Sequence, residues 1–424
     1  MSYFDPTTWR ALTKHEMPAH WKKMGDRLPS GEKSDGGDVR RGKPKKKKKP
    51  SNLDQILVVQ ERISPFDIYC YLHARFGAPN GMQTILRADD SDNMFHWDYN
   101  LKVGDKSLYF VGATQETHIW VDEHFTDRQW IEFLEAIKAD FARVGKEKSA
   151  FVKTLEKWFI FPNQFLSTAD ECAVFYENIK KALIGMEKLS GKANVRILDE
   201  DYKVILTKQA KLVKDISSSC IILGMLTPVM FESFIGLLIA ILVKPDFKKN
   251  KRAYDAFIRG PLDVKIYDLH VRCRGFRKPI APENKVMARY WSVVNRRNDV
   301  IHGNVDPIKN AVDTVYFNKK VPLFLAGGDR ARTYWEGVVK QYDPERVIAD
   351  YHAAHELIYE IIGHLIPPMQ ETVKSLMSDI QPGYDEKRGI YGKLFPNHLA
   401  SFAMEGLRFD GDLVDPKGKT IAVA

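Results

Sequence analysis

Residues 219–243 run Ser219-Cys-Ile-Ile-Leu-Gly-Met-Leu-Thr-Pro-Val-Met-Phe-Glu-Ser-Phe-Ile-Gly-Leu-Leu-Ile-Ala-Ile-Leu-Val243. The stretch holds no lysine or arginine and is long enough to cross a bilayer as a helix. Glu232 and Pro228 stand in its middle, and a carboxylate at the centre of a hydrocarbon layer costs a few kcal/mol. The expectation is therefore the buried core helix of a helical domain rather than a membrane span. It belongs to a longer pattern, Asp199–Val243. There Pro228 either kinks one continuous helix or breaks it into two, with Thr227 capping the second.

Working outward, residues 166–377 are expected to form that helical domain. Thr168–Lys188 is amphipathic, Ala253–Arg259 and Leu262–Cys273 are shorter, and Ala281–His302 is apolar at helical spacing. Residues 311–325 contain alternating β-branched and aromatic residues around Asn318-Lys319-Lys320, which predicts a β-hairpin inserted between helices. Asp343 is placed to cap a last helix over Pro344–Met377. The tail from Ser378 to Ala424 is punctuated by glycine and proline and is expected to be irregular.

Residues 52–165 predict a small α+β domain. Ser64 caps a helix with Pro65 in its first turn and Gly77 behind it. Strand-like runs follow at Gln83–Arg87, Met94–Leu101, Ser107–Ala113 and Glu116–Val121. Thr126 then caps a helix over Asp127–Val144 with Trp130, Phe133, Leu134, Ile137 and Phe141 on one face. Residues 1–51 are expected to be a separate segment. Phe4, Trp9, Leu12, Met17 and Trp21 suit a short docking helix, and Pro29–Ser51, ending in the lysine run 45–49, suits a solvated linker. The same run also resembles a nuclear-localisation patch. The fold class is thus α+β and multidomain.

The chain of 424 residues carries a net charge of +9, but the charge is local. Residues 1–51 hold 14 Lys/Arg against 6 Asp/Glu, and the rest holds 50 against 49. A basic surface spread over the folded body is thereby excluded, and any nucleic-acid site must be built from a few residues. The four cysteines (Cys70, Cys172, Cys220, Cys273) form no CxxC pair, which argues against a zinc site or disulfide framework and fits a reducing cytoplasm. The N-terminal segment has no apolar core of a secretory signal. His118 and His124, and the pair His352 and His355, lack metal-ligand spacing. Gly327-Gly328-Asp329-Arg330 is a turn without the lysine of a phosphate-binding loop. No cofactor or metal is expected.

Chemistry concentrates at the end of the helix 281–302, in Arg296-Arg297-Asn298-Asp299-Val300-Ile301-His302-Gly303-Asn304. Arginine grips phosphate and histidine moves a proton near neutral pH. Tyr290, Val293, Val294, Arg297 and Ile301 share one side of the helix, and Asn298 lies one turn before His302, where its amide can orient the ring. Gly303 suits the close of the helix, which sets His302 at a C-terminus whose dipole favours imidazolium. A neighbouring arginine works the other way, toward a neutral-range pKa suited to acid–base work.

The Arg297-Asn298-x-x-x-His302-Gly303 run follows, about 60 residues on, the apolar helix that carries Phe231-Glu232-Ser233-Phe234. This combination resembles the HEPN superfamily, over roughly residues 200–375. The resemblance implies a helical domain that cleaves RNA without a metal, leaving 2′,3′-cyclic phosphate and 5′-hydroxyl ends. It implies His302 as the proton-transfer group, Arg297 on the scissile phosphate, Asn298 orienting His302 or touching the phosphate, and Glu232 pairing with Arg297. Arg296 also fits the family's spacing; Arg297 is preferred because Asn298 then fills the polar position after the arginine. A homodimer sharing one cleft is implied, as is a role as a toxin or antiviral defence effector held back by an inhibitor or an activating trigger. Some family toxins carry a modifiable tyrosine two residues after the histidine; Asn304 stands there in this chain. The other reading is a non-catalytic HEPN-like module that binds RNA or protein.

Overall fold

A computed structural model describes residues 2–13, 56–82, 95–190, 200–281, 283–302, 307–308, 311, 314–325 and 330–395. The expected linker and lysine run, Met17, Trp21, the strand at 83–87, Gly303, Asn304 and the 327–329 turn lie outside these residues. The chain is mixed α+β and divides into two compact units, up to Lys157 and from Trp158.

In the first unit Pro6–Thr8 forms a single 3-10 turn capped by Asp5, and β1 (Trp9–Ala11) follows it. The expected docking helix is thus replaced by a strand: Trp9 pairs with Val103 and Ala11 with Leu101 on an open sheet edge. Burial selects this, since Trp9 is 4% exposed and its indole stacks on Phe133 at 5.6 Å. β2 (Ile56–Val59) closes the opposite edge of the sheet. The helix α1 (Pro65–Phe76) begins where Ser64 accepts from the Asp67 amide and ends at Gly77, whose φ of +76° suits glycine. The strands β3 (Phe95–Val103), β4 (Lys106–Ala113) and β5 (Thr117–Val121) complete an antiparallel sheet of order β1-β3-β4-β5-β2. Its core holds Ile68, Tyr71, Leu72, Tyr99, Phe110, Ile119 and Phe133.

The helix α2 (Asp127–Asp140) stops four residues before the expected Val144. Asp140 is buried and accepts from Tyr71 Oη at 2.6 Å and from Arg143 Nε at 2.6 Å, so the chain turns tightly there before α3 (Gly145–Val152). At the start of α2, Thr126 and Gln129 satisfy each other's backbone amides as a capping box. Thr126→Ala is expected to lower the stability of this unit by about 1 kcal/mol, seen as a lower urea midpoint at unchanged slope.

The second unit begins earlier than the expected residue 166, because β6 (Trp158–Ile160) pairs with a strand near the other end of the unit. The helix α4 (Gln164–Ser190) runs antiparallel to α5 (Glu200–Leu242): Phe165 lies against Phe234, and Gly185 leaves room for Leu212. The helix α5 is continuous through Pro228. The proline forfeits its own amide bond, and one turn's strain is partly met by the Thr227 hydroxyl donating to the Leu223 carbonyl at 2.7 Å. Phe231, Phe234, Ile235, Leu238 and Ile239 are 0–1% exposed, so the run that opened the sequence is the core helix of this unit.

Short helices α6 (Pro245–Lys249), α7 (Lys251–Arg259) and α8 (Leu262–Arg272) lead to α9 (Lys285–His302). This helix starts four residues later than expected, because Asn284 accepts from the Val286 amide at 2.8 Å and caps it. The hairpin β7 (Val315–Asn318) and β8 (Val321–Phe324) follows, then α10 (Arg330–Tyr342), which extends on from the expected turn. The expected helix 344–377 is two helices, α11 (Pro344–Gly363) and α12 (Pro367–Met377). Pro367 holds Ile366 extended, and the freed backbone pairs elsewhere: Ile366 N–H donates to the Gly275 carbonyl and Arg277 N–H to the His364 carbonyl. The tail is not irregular throughout. β9 (Gly383–Asp385) joins β6 to β10 (Ile390–Gly392), and the Asn163 amide donates to the carbonyls of Leu376, Met377 and Asp379. Residues 396–424 lie outside the described residues.

Candidate functional site

The helix α9 packs on α5 and α11 through Met287, Tyr290 and Val293, each 0–2% exposed. This fixes which side of its last turns faces the neighbours, and it separates two adjacent arginines. Arg296 is turned to α11, where Nε donates to Asp350 Oδ2 at 2.8 Å and Nη2 reaches Oδ1. A two-pronged pair with a carboxylate 12% exposed is a clamp between helices.

Arg297 is turned toward α5. Its Nη1 donates to Asn298 Oδ1 at 3.1 Å, and its Nη2 lies 3.7 Å from Glu232 Oε1. The Arg297 side chain is 24% exposed and the Glu232 side chain 48%. A long, half-wet ion pair contributes at most about 1 kcal/mol. Arg297 is therefore positioned but only loosely held, and an incoming phosphate oxygen can displace Glu232. His302 is the last residue of α9, one turn past Asn298. Its side chain lies outside the described residues.

Beneath the pair lies Tyr290, fully buried with its ring 4.3 Å from that of Phe231. Among the described residues its hydroxyl has no hydrogen-bond partner. Burial holds the phenol well above its ordinary pKa, the Glu232 carboxylate adds to this and Arg297 opposes it. The hydroxyl therefore stays protonated, a donor in the field of the Glu232–Arg297 pair. Helical spacing put Tyr290 on the side of Arg297 but gave no sign that its hydroxyl would be left unpaired; that depends on the α5 contact.

A cleft of about 270 Å³ opens beside the arginines, lined among others by Cys220, Val293, Arg296, Arg297, Arg346 and Asp350. Its charge is positive: three guanidiniums face one carboxylate. Cys220 adds no nucleophile, because burial, with Asp343 nearby, pushes its thiol up to about 12. Glu232 lines a second groove, of about 500 Å³, on the other side of α5. The structure thus brings Glu232, Arg297 and Asn298 together and sends Arg296 elsewhere. His355 is in the interior of α11, and among the described residues no His/Cys/Asp/Glu cluster is arranged to hold a metal. The chain matches no protein-family model, no curated protein and no solved structure.

Proposed function

We propose that the helical unit is a HEPN-type endoribonuclease that needs no metal. The observation that carries this is the loose hold on Arg297: it lies between Glu232 and Asn298, five residues before His302, while Arg296 is locked to Asp350. In this reading His302 takes the proton from a ribose 2′-hydroxyl, whose oxygen attacks the adjacent phosphorus. The phosphorus–O5′ bond breaks, and the departing oxygen takes a proton from solvent water to leave as a 5′-hydroxyl. Arg297 stabilises the charge that builds on the phosphoryl oxygens, having exchanged Glu232 for phosphate. Asn298 orients either His302 or the phosphate.

A second copy of the chain would complete the cleft, so the acting species is proposed to be a homodimer. The four buried free thiols are compatible with a reducing cytoplasm as its place of action. Unrestrained cleavage of cellular RNA would be harmful. We therefore assign the protein to the toxins or antiviral effectors, kept silent by an inhibitor or until a trigger arrives.

The test is an RNA digest in excess chelator with the product ends mapped. Cleavage is expected to be undiminished and to leave 2′,3′-cyclic phosphate and 5′-hydroxyl ends. Cleavage abolished by the chelator, or 5′-phosphate ends, would remove this mechanism. RNA binding without cleavage by the dimer, even with extract of infected cells added, would favour the non-catalytic binding module.

A further inference from the structure

The β7–β8 hairpin carries more apolar surface than its packing accounts for. Of its eight strand residues only Val315 is half-buried, and the other seven are exposed. Phe317 is 67% exposed, Val321 59%, Tyr316 58% and Leu323 51%. The register sets Phe317 opposite Pro322 and Phe324 opposite Val315 on one face, and Tyr316 opposite Leu323 on the other. A lone two-stranded hairpin is marginal in water, and this one exposes aromatic rings on both faces.

Its charge is one-sided. Residues 314–325 contain no aspartate or glutamate, and the turn is Lys319-Lys320. Lys319 has φ +59°, the left-handed region that hairpin turns usually reserve for glycine or asparagine. A lysine there is less stable than glycine would be, so the turn presents a cation at some conformational cost.

We infer that the hairpin is a docking arm for single-stranded RNA, with bases stacked on Phe317 and Tyr316 and backbone phosphates held by Lys319 and Lys320. Base stacking on exposed rings beside cations is how single strands are held without sequence readout. Two other occupants fit less well. A membrane would have to admit the tip first, and the tip is where both lysines sit. A second hairpin adding to the β8 edge would meet Pro322, which has no N–H to donate. The arm follows α9 in sequence: twelve residues lie between His302 and Val315, a reach of at most about 45 Å. A strand held on it is thus tethered near the end of α9. This rests on the nuclease reading for the identity of the nucleic acid, but its test does not need cleavage.

The probe is a fluorescent single-stranded 2′-O-methyl RNA, which lacks the attacking hydroxyl and cannot be cut by the proposed chemistry. Full-length protein is expected to bind it. The double variant Tyr316→Ala, Phe317→Ala should bind at least about tenfold more weakly. Lys319→Gly removes a charge while relieving the turn, so weaker binding there cannot be blamed on unfolding; the slope of log affinity against log salt should fall by about 0.7. If wild type never cuts RNA yet the hairpin variants lose binding, the nuclease reading fails and the docking arm stands. Unchanged affinity in the hairpin variants overturns the docking arm whatever cleavage shows. So does the finding that these variants instead lose capture by anionic lipid vesicles, or turn a dimer into a monomer, with RNA affinity intact.

Discussion

Arg297→Ala and His302→Ala are each expected to slow RNA cleavage by about 10²- to 10⁴-fold while the protein stays folded. The structural grounds lie in what each residue leaves behind. Among the described residues Arg297 makes one side-chain hydrogen bond, to Asn298, and a long contact to half-exposed Glu232, so its removal orphans no buried charge there. Its neighbour behaves in the opposite way. Arg296→Ala strips Asp350, 12% exposed, of a two-pronged partner, and should lower stability by about 1–3 kcal/mol. The adjacent arginines therefore separate by measurement: one variant loses rate at unchanged unfolding midpoint, the other loses midpoint. The Arg297→Ala, His302→Ala double variant should be little slower than either single one, because residues that act on one transition state do not add. Equal loss of rate in Arg296→Ala and Arg297→Ala, at full stability of both, would sink the assignment.

That separation marks the limit of what could be read from the chain. The Arg-x(4)-His spacing and the Arg-x(5)-His spacing were both present, and only a preference for a polar residue after the arginine favoured Arg297. The physical decision is made by Asp350, 54 positions away on another helix, which claims Arg296. Glu232 as a partner of Arg297 came from the resemblance alone; its carboxylate in an apolar run told only against a membrane span. The unpaired Tyr290 hydroxyl was not legible, since nothing local says what a buried phenol will meet.

The fold divides in the same way. Helix ends written in local chemistry were readable: the Ser64 and Thr126 caps, Gly77 behind α1, and Asp343 before α11. The core identity of α5 was readable from one carboxylate in an apolar run. The strand β1 was not, because three residues gain strand geometry only by pairing with Val103 and Leu101 about ninety positions on. The break between α11 and α12 had a local sign in Pro367-Pro368. Even so, the pairing of Ile366 with Gly275 that makes it stable is a tertiary fact. The short β9 strand escaped for the same reason as β1, since β6 lies more than two hundred positions before it, and β10 pairs only with β9.

Acid should unfold the helical unit earlier than its carboxylates would dictate, and His355 is the reason. Its ring is fully buried in α11, edge-on to Tyr351 at 4.6 Å. Burial, with a further push from His352, takes its pKa down to about 3. The unfolded chain keeps the ordinary value of about 6.5. Between these two values the unfolded state binds one proton more than the folded state, so stability falls as the pH falls. The slope is about 1.4 kcal/mol per pH unit, beginning near pH 6.5 and ending near 3. Across the whole interval the loss is about 4–5 kcal/mol, comparable with the total stability of many domains. Carboxylates of this unit held low by partners, such as Asp385 beside Arg388, lose their contribution only below about pH 4. The fall that begins near 6.5 thus belongs to histidine, and the Asp379 carboxyl, raised by burial, works against it from the acid side. His355→Leu replaces the ring by an apolar side chain of similar volume but different shape and should flatten the urea midpoint across that interval, at some loss of midpoint at pH 7.5. A midpoint that falls equally steeply in His355→Leu would show that another group takes up the proton. The distinction bears on catalysis, because the proposed mechanism also has His302 exchange a proton. A falling rate in acid is evidence about His302 only in a protein whose fold no longer titrates with it, and His355→Leu would be that protein.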